Sequence, residues 1–319
     1  MTTNSNNFEK DRSWLAEPLE PKERSKFSKF CNKMLMSPYV LIAPAMIACI
    51  IVQIIPLIFT IYMSFFKWDI LKGTKKFIAF DNYSYLFHNE DFLLVVQNTA
   101  VFMVATVFIG LALKLLLGVF LNKPTPQHTL VQTVIFTPTI IASTSIAVMF
   151  MWLMDPSTGI FNIVLEWFGG EPLRWYKSAD TSMLSIIIIS IWSGLGYGVL
   201  YIIAGLRSVP GYIYEAATLD RAGKVKTFFK ITLPLISPTI LYVLVTSMSS
   251  ATISFDTVAL MTQGGPENSS NVLAYYIYQQ GMKYLHYGRA FAASIVLLVV
   301  NAILMGISFW LGRQKVHYQ

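Results

Sequence analysis

The sequence predicts an all-α polytopic membrane protein with six transmembrane helices. Three observations carry this. The 319 residues are 55% hydrophobic but only 13% charged, where a soluble domain carries roughly a quarter charged residues. The mean hydropathy is +0.55. Six stretches reach the ~20 mostly apolar residues that a bilayer-crossing helix needs. The wealth of Phe, Tyr and Trp suits membrane interfaces.

The spans fall at roughly Tyr39–Phe66, Leu93–Leu121, Thr129–Met154, Met183–Leu206, Pro234–Met261 and Arg289–Gly312. The first exceeds what a span requires and contains Pro44 and Pro56, so tilt or a kink is expected. Residues 1–38 form a polar tail of mixed charge, residues 39–312 the membrane domain, and residues 313–319 a short C-terminal tail. The first tail lacks the apolar core and small-residue cleavage site of a targeting peptide.

Orientation follows from the basic residues, which accumulate on the cytoplasmic side. With both termini inside, fifteen of the 24 Lys/Arg are cytoplasmic. Lys67, Lys72, Lys75 and Lys76 in the first outer loop dissent. The net charge of +7 is not a nucleic-acid signal, because it forms no basic stripe with stacked aromatics. Cys31 and Cys49 suggest neither a disulfide nor a metal site. His88, His128, His286 and His317 are scattered. No G-x-x-x-x-G-K-[ST] phosphate loop, H-E-x-x-H or G-x-S-x-G occurs, so the chain is not expected to hydrolyse ATP itself or to act as an enzyme.

One stretch interrupts this apolar pattern. YEAATLDRAGKVKTFFKITLPL, Tyr214 to Leu235, carries Arg221, Lys224, Lys226 and Lys230 and lies on the cytoplasmic side. Leu219, Ala222, Val225 and Phe229 recur at helical spacing and predict one apolar face. Gly223 weakens the middle, where a bend or helix–turn–helix fits. Pattern alone leaves two readings open: a helix resting on anionic headgroups, or a docking surface for a soluble partner.

Polar residues inside spans mark pathways or packing. The fourth span carries Ser190, Trp192, Ser193, Gly194, Gly196, Tyr197 and Gly198. The fifth carries Thr246, Ser247, Ser249, Ser250, Thr252, Ser254 and Asp256. Small and hydroxylated residues also mediate helix packing, so each has a bland reading too. Asn98, Gln132 and Asn301 read as interhelical hydrogen-bond partners. Lys114 reads as a snorkelling lysine or one that meets another subunit. For Tyr275–Tyr287, an interfacial aromatic belt stands beside a docking surface for an external protein.

Glu215 to Pro234 resembles the EAA loop of permease subunits in binding-protein-dependent ABC importers. That pattern is E-A-A, three residues, Gly, nine residues, then I-x-L-P. Glu215, Ala216, Ala217, Ile231, Leu233 and Pro234 match; Arg221 holds the family's glycine position, with Gly223 two residues later. KWDI, FDNYSYLF, QNT, FTPTIIASTSIAVMFMWLMDPSTGIFN and TQGGPENSSNVLAYYIYQQGMKYLHYGRAFAAS are similar to sugar permeases, the last to the maltose- and glycerol-phosphate-type first permease subunit. The resemblance covers about residues 39 to 312.

It implies a type I ABC importer-like fold in a prokaryotic inner membrane, with a cytoplasmic coupling-helix loop at about residues 207–233. Glu215, Ala216, Ala217, Asp220, Arg221 and Gly223 would then approach a cleft on a separate ATPase. Phe228, Phe229 and Ile231 would pack under the permease's own helices. Trp192, Tyr197, Ser247, Ser250, Ser254 and Asp256 would face the pathway. The implied partners are a second permease, two ATPase subunits holding ATP and Mg, an external solute-binding protein, a carbohydrate substrate and lipid. A self-contained secondary transporter, an importer of a polyol phosphate and a membrane-embedded enzyme are the competing readings.

Overall fold

The computed structural model describes residues 38–70 and 72–315. The tail expected over residues 1–38 lies outside them apart from Pro38, as do residues 316–319. The chain divides into two units, residues 1–58 and 59–319. In the first, α1 (Pro38–Cys49) passes through a π-turn, Ile50–Ile54, into the start of α2 (Ile55–Met63), which runs on into the second. The apolar helix Tyr39–Met63 has 25 residues, enough to cross a bilayer.

After the end of α2, the second unit forms an antiparallel hairpin, β1 (Phe66–Asp69) and β2 (Thr74–Phe77), paired Phe66 to Phe77 and Asp69 to Thr74. This hairpin is absent from the all-α expectation. Its four-residue strands are too short to show a clear alternation, and exposed Lys75 lies over the Trp68 ring at 4.7 Å. Then come α3 (Asp81–His88) and the 32-residue α4 (Glu90–Leu121). Asn89 caps α4, its Oδ1 accepting from Phe92 N at 2.9 Å, while Glu90 and Asp91 complement the helix dipole in the first turn.

Three of the expected spans are bent helix pairs. In the first, α5 (Pro126–Phe136) passes through a 3₁₀ turn, Thr137–Ile140, before α6 (Ser143–Leu153), with a 106° bend. Pro138 lies in that turn and supplies no N–H to continue an α-helix. After the short α7 (Ile160–Trp167), α8 (Ala179–Ser193) and α9 (Leu195–Ser208) meet at Gly194 with a 45° bend. The third pair turns by 69° between Lys224–Leu235 and Ser237–Thr252. It contains α11 (Lys224–Thr227), a π-turn at Phe228–Thr232, α12 (Leu233–Leu235) and α13 (Ser237–Thr252), preceded by α10 (Gly211–Leu219).

The fifth span was expected to run unbroken to Met261. Instead α13 ends at Thr252, and helix resumes at Asp256, running into the π-turn Val258–Thr262. The chain then forms α14 (Leu273–Tyr278), a π-turn at Gln279–Lys283, and α15 (Tyr287–Lys315).

Within this unit α4 is the central post, packing on α8, α9 and α13, while α13 also packs on α15. Apolar burial drives this around several clusters, one of which joins Phe102, Ile186, Ile187, Val258, Val272 and Tyr275. Tyr275 is 1% exposed and Tyr276 4%. They are core residues, so the aromatic-belt reading fails for them: their rings meet Phe255 and Phe92 rather than lipid. Exposed Tyr284 and Tyr278 keep that reading open.

Asn98 was expected to bond between helices. It instead ties a loop down, its Nδ2 donating to Asn268 O at 2.7 Å and Asn271 O at 3.2 Å. Gln132 does link two helices, donating to Leu121 O at 2.8 Å. Asn301 Oδ1 is buried without a partner among the described residues.

Candidate functional site

A cavity of about 550 Å³ lies among α4, α6, α8, α9, α13 and the break after α13. From α4 come Thr106, Gly110 and Lys114, and from the bent α8–α9 pair come Ser190, Ser193, Tyr197, Gly198 and Tyr201. Tyr242, Thr246, Ser247 and Ser250 on α13, Ser254 in the break, Asp256 and Thr257 just beyond it, and Ser143 on α6 add to its polar lining. The helical breaks account for much of this surface. At Gly194 the last carbonyls of α8 still receive the Gly194 N–H, and the bend turns Tyr197 and Tyr201 onto one wall.

The aromatic rings form a connected array. Phe136 and Tyr197 meet edge-on at 5.2 Å, Tyr197 and Tyr201 stack at 6.5 Å, and Tyr201 meets Tyr242 edge-on at 4.9 Å. Tyr197 and Tyr242 are about half exposed. Such faces offer flat apolar surface bordered by hydroxyls.

Of the residues assigned to a pathway from sequence, Tyr197, Ser247, Ser250, Ser254 and Asp256 line this cavity. Trp192 does not. Its ring packs on Phe150 at 5.2 Å, against the cluster of Ile146, Phe150, Met154 and Ile189. It lies on the face of α8 turned toward α6, and sequence alone did not reveal that rotation.

Lys114 is the residue most misjudged from sequence. It does not snorkel: it is 7% exposed and its Nζ donates to Ser247 Oγ at 2.8 Å. The available signal was a cation in the middle of a long apolar run, facing hydroxyl-rich spans.

The Tyr214–Leu235 stretch folds as a helix–turn–helix, as the weak middle near Gly223 suggested. α10 ends in a Schellman arrangement, in which Ala222 N donates to Ala217 O at 2.9 Å and Arg221 N to Thr218 O at 3.0 Å. That geometry demands a left-handed residue, and Arg221 supplies it with φ +51°. This explains the glycine in the pattern it resembles, since only glycine adopts that conformation without steric cost. Gly223 does not take over the role, for its φ is −65° as the cap before α11.

The apolar stripe expected from helical spacing is consequently split. Leu219, Val225 and Phe229 are 85%, 72% and 60% exposed, and Phe229 does not pack beneath the chain's own helices as expected; Phe228 and Ile231 are partly buried. Glu215, Ala216, Asp220, Arg221 and Gly223 are exposed, whereas Ala217 is buried.

This turn is bound firmly to the cavity walls. Ile213 and Tyr214 pack into a cluster of Ile202, Leu206 and Val209 near the end of α9 with Ile236 and Val243 at the start of α13. Thr232 Oγ1 donates to Tyr214 Oη at 3.3 Å.

A polar, ring-lined cavity between bent membrane helices, joined to an exposed helical turn, defines a transport component of the membrane. A family model described as the binding-protein-dependent transport system inner membrane component matches residues 107–316, and the chain belongs to that family. Its fold is that of type I ABC importer permeases, and it is an integral membrane protein.

Similar proteins include the probable ABC transporter permease protein YurN of Bacillus subtilis, 32% identical over 86% of this chain and 94% of the relative. The sulfoquinovosyl glycerol transport system permease protein SmoG of Agrobacterium fabrum is 31% identical, over 86% of this chain and 90% of that one. Among solved structures, a chain of a bacterial ABC transporter involved in the import of the acidic polysaccharide alginate has a TM-score of 0.79 at 25% identity. It covers 91% of this chain and 99% of its own length.

Proposed function

We propose that this chain is one permease subunit of an ATP-driven importer that moves a carbohydrate into the cell by alternating access. The observation that carries this reading is the continuity from the exposed Glu215–Gly223 turn, through the cluster at Leu206 and Ile236, to the cavity walls on α9 and α13. Relatives are named for sulfoquinovosyl glycerol and arabinooligosaccharides, which supports a carbohydrate as cargo. The similar alginate transporter has also been solved with a pentasaccharide-bound periplasmic protein, at 24% identity. That likeness concerns the fold, and it agrees with an external binding protein as donor.

The mechanism follows from the arrangement. The turn docks in a cleft of a cytoplasmic ATPase, with both termini of the chain on that side. Exposed Glu215 and Asp220 face basic groups of that partner, and exposed Leu219 and Val225 bury apolar surface against it. A second permease supplies the opposite half of the pathway. Two ATPase subunits bind ATP and Mg, and their closure drives the turns together. The rigid link to α9 and α13 converts that movement into rotation of the cavity walls. Solute then enters from the external binding protein, meets the tyrosine array and the hydroxyls of α13, and leaves inward on reset.

Charge reversal at Glu215 tests the reading. In proteoliposomes holding the full complex, Glu215→Lys should insert and assemble normally yet lose most solute-stimulated ATP hydrolysis and uptake. Undiminished coupling would remove the cleft assignment.

A further inference from the structure

We propose that Lys114 recognises an anionic group, a carboxylate, phosphate or sulfonate, carried on the translocated carbohydrate. The inference rests on the carbohydrate-permease reading and narrows its substrate class to acidic saccharides. An ammonium has three N–H donors. Ser247 Oγ takes one at 2.8 Å, and no carboxylate among the described residues lies within ion-pair distance of Nζ. The remaining donors border the cavity.

The position is built. Lys114 belongs to the apolar α4 and is 7% exposed. On the facing helix, Gly198 leaves room for its stem: a Cβ there would sit 2.7 Å from Lys114 Cε and 2.9 Å from Cγ. Gly110, one turn back on α4, puts no side chain against the ammonium: a Cβ there would lie 3.9 Å from Nζ. Close approach at Gly198 and the bond to Ser247 set the ammonium at the cavity wall.

A charge at membrane depth is costly, and an apolar side chain would pack the same gap without that cost. The cavity's acid, Asp256, lies beyond the break that ends α13 and makes no ion pair with it. A neutral hydroxyl would accept an N–H but leave the charge uncompensated. An oxyanion satisfies the free donors and the charge together, while Tyr197 and Tyr201 offer ring faces to the sugar.

The test is uptake into proteoliposomes by the complete complex with its binding protein present. Trigalacturonate and glucose 6-phosphate serve as anionic probes, maltotriose and galactotriose as neutral ones. The wild type should take up an anionic probe. Lys114→Gln and Lys114→Met should each lower that uptake about tenfold, with Lys114→Arg recovering part of it. Wild-type uptake of neutral probes alone would overturn the inference while leaving the carbohydrate reading standing, and this arm decides even if the variants fail to assemble. Anionic uptake unchanged in Lys114→Gln would also overturn it. No uptake of any saccharide would defeat the carbohydrate reading and this inference with it.

Discussion

α9 approaches the bend after α5 at Gly196, and the substitution Gly196→Ala measures how close that approach is. A methyl group there would lie 2.9 Å from Phe136 Cα, 3.0 Å from Ile135 O and 2.6 Å from Thr139 Cγ2. The first two are backbone atoms of α5 and cannot rotate away. Thr139 is held as well, its hydroxyl donating to Phe136 O at 2.6 Å. Overpacking of this kind costs about 1–3 kcal/mol. Alanine's better helix propensity returns about 1 kcal/mol, so the net loss is about 0–2 kcal/mol.

Gly306→Ala on α15 isolates the propensity gain, since a Cβ there meets nothing within 4 Å. Thermal unfolding of both variants in the same detergent, followed by fluorescence-detected size exclusion, reads the difference. Gly196→Ala should melt several degrees below Gly306→Ala. If it melts at the same temperature or higher, the packing argument at this crossing is wrong.

Arg221→Gly should relieve the left-handed strain of about 1–2 kcal/mol, partly offset by glycine's greater freedom when unfolded. Amide exchange at Ala222 should slow, and Arg221→Val should speed it. Asn162 joins four groups, donating to Pro156 O and Leu173 O at 3.0 Å and accepting from Leu173 N at 3.1 Å and Trp175 Nε1 at 2.7 Å. Asn162→Ala should leave several of these unsatisfied, cost about 2–4 kcal/mol, and red-shift Trp175 emission. Asp155 accepts from Ser157, Thr158 and Lys177, and the Ser157 bonds above all hold its carboxyl well below the usual carboxylate range. A depressed value means that its contribution to loop order is full above the ordinary aspartate range near ~4 and is lost only as pH falls through the lower folded value. Carboxyl NMR should show Asp155 still ionised at pH 3, and a midpoint near 4 would contradict this.

Helix identity was readable from the sequence because apolar length alone decides it. Six runs map onto three long helices and three bent pairs. The bends themselves were harder: Pro138 and Gly194 are visible in the sequence, but a 106° bend and a 45° bend depend on what packs beside them. The end of α13 at Thr252 has no proline or glycine signal at all, since ATISFD reads as continuous helix.

The rotation of α8 decided Trp192 against the cavity, and periodicity cannot set rotation when both faces are apolar. Lys114 shows the converse. Its oddity was plain, but its partner is far along the chain at Ser247, and only folding brings them together. At Arg221 the pattern's spacing was legible, whereas the reason for its glycine became clear only from the backbone angle.

The cluster between the turn and the bundle carries one more consequence. Val209 and Pro210 alone would make a swivel, letting the turn pivot freely while the helices stayed still. Ile213 and Tyr214, wedged among Leu206, Val209 and Ile236, remove that slack. If the turn receives the stroke of an ATPase, as proposed, this wedge passes it directly to the end of α9 and the start of α13. On that proposal the stroke and the cavity's change of shape would form a single collective motion, with the microsecond-to-millisecond pace of helix bundles moving as blocks. Loosening this joint with small side chains would leave both ends intact and separate fuel consumption from transport, as a slipping clutch separates an engine from its wheels.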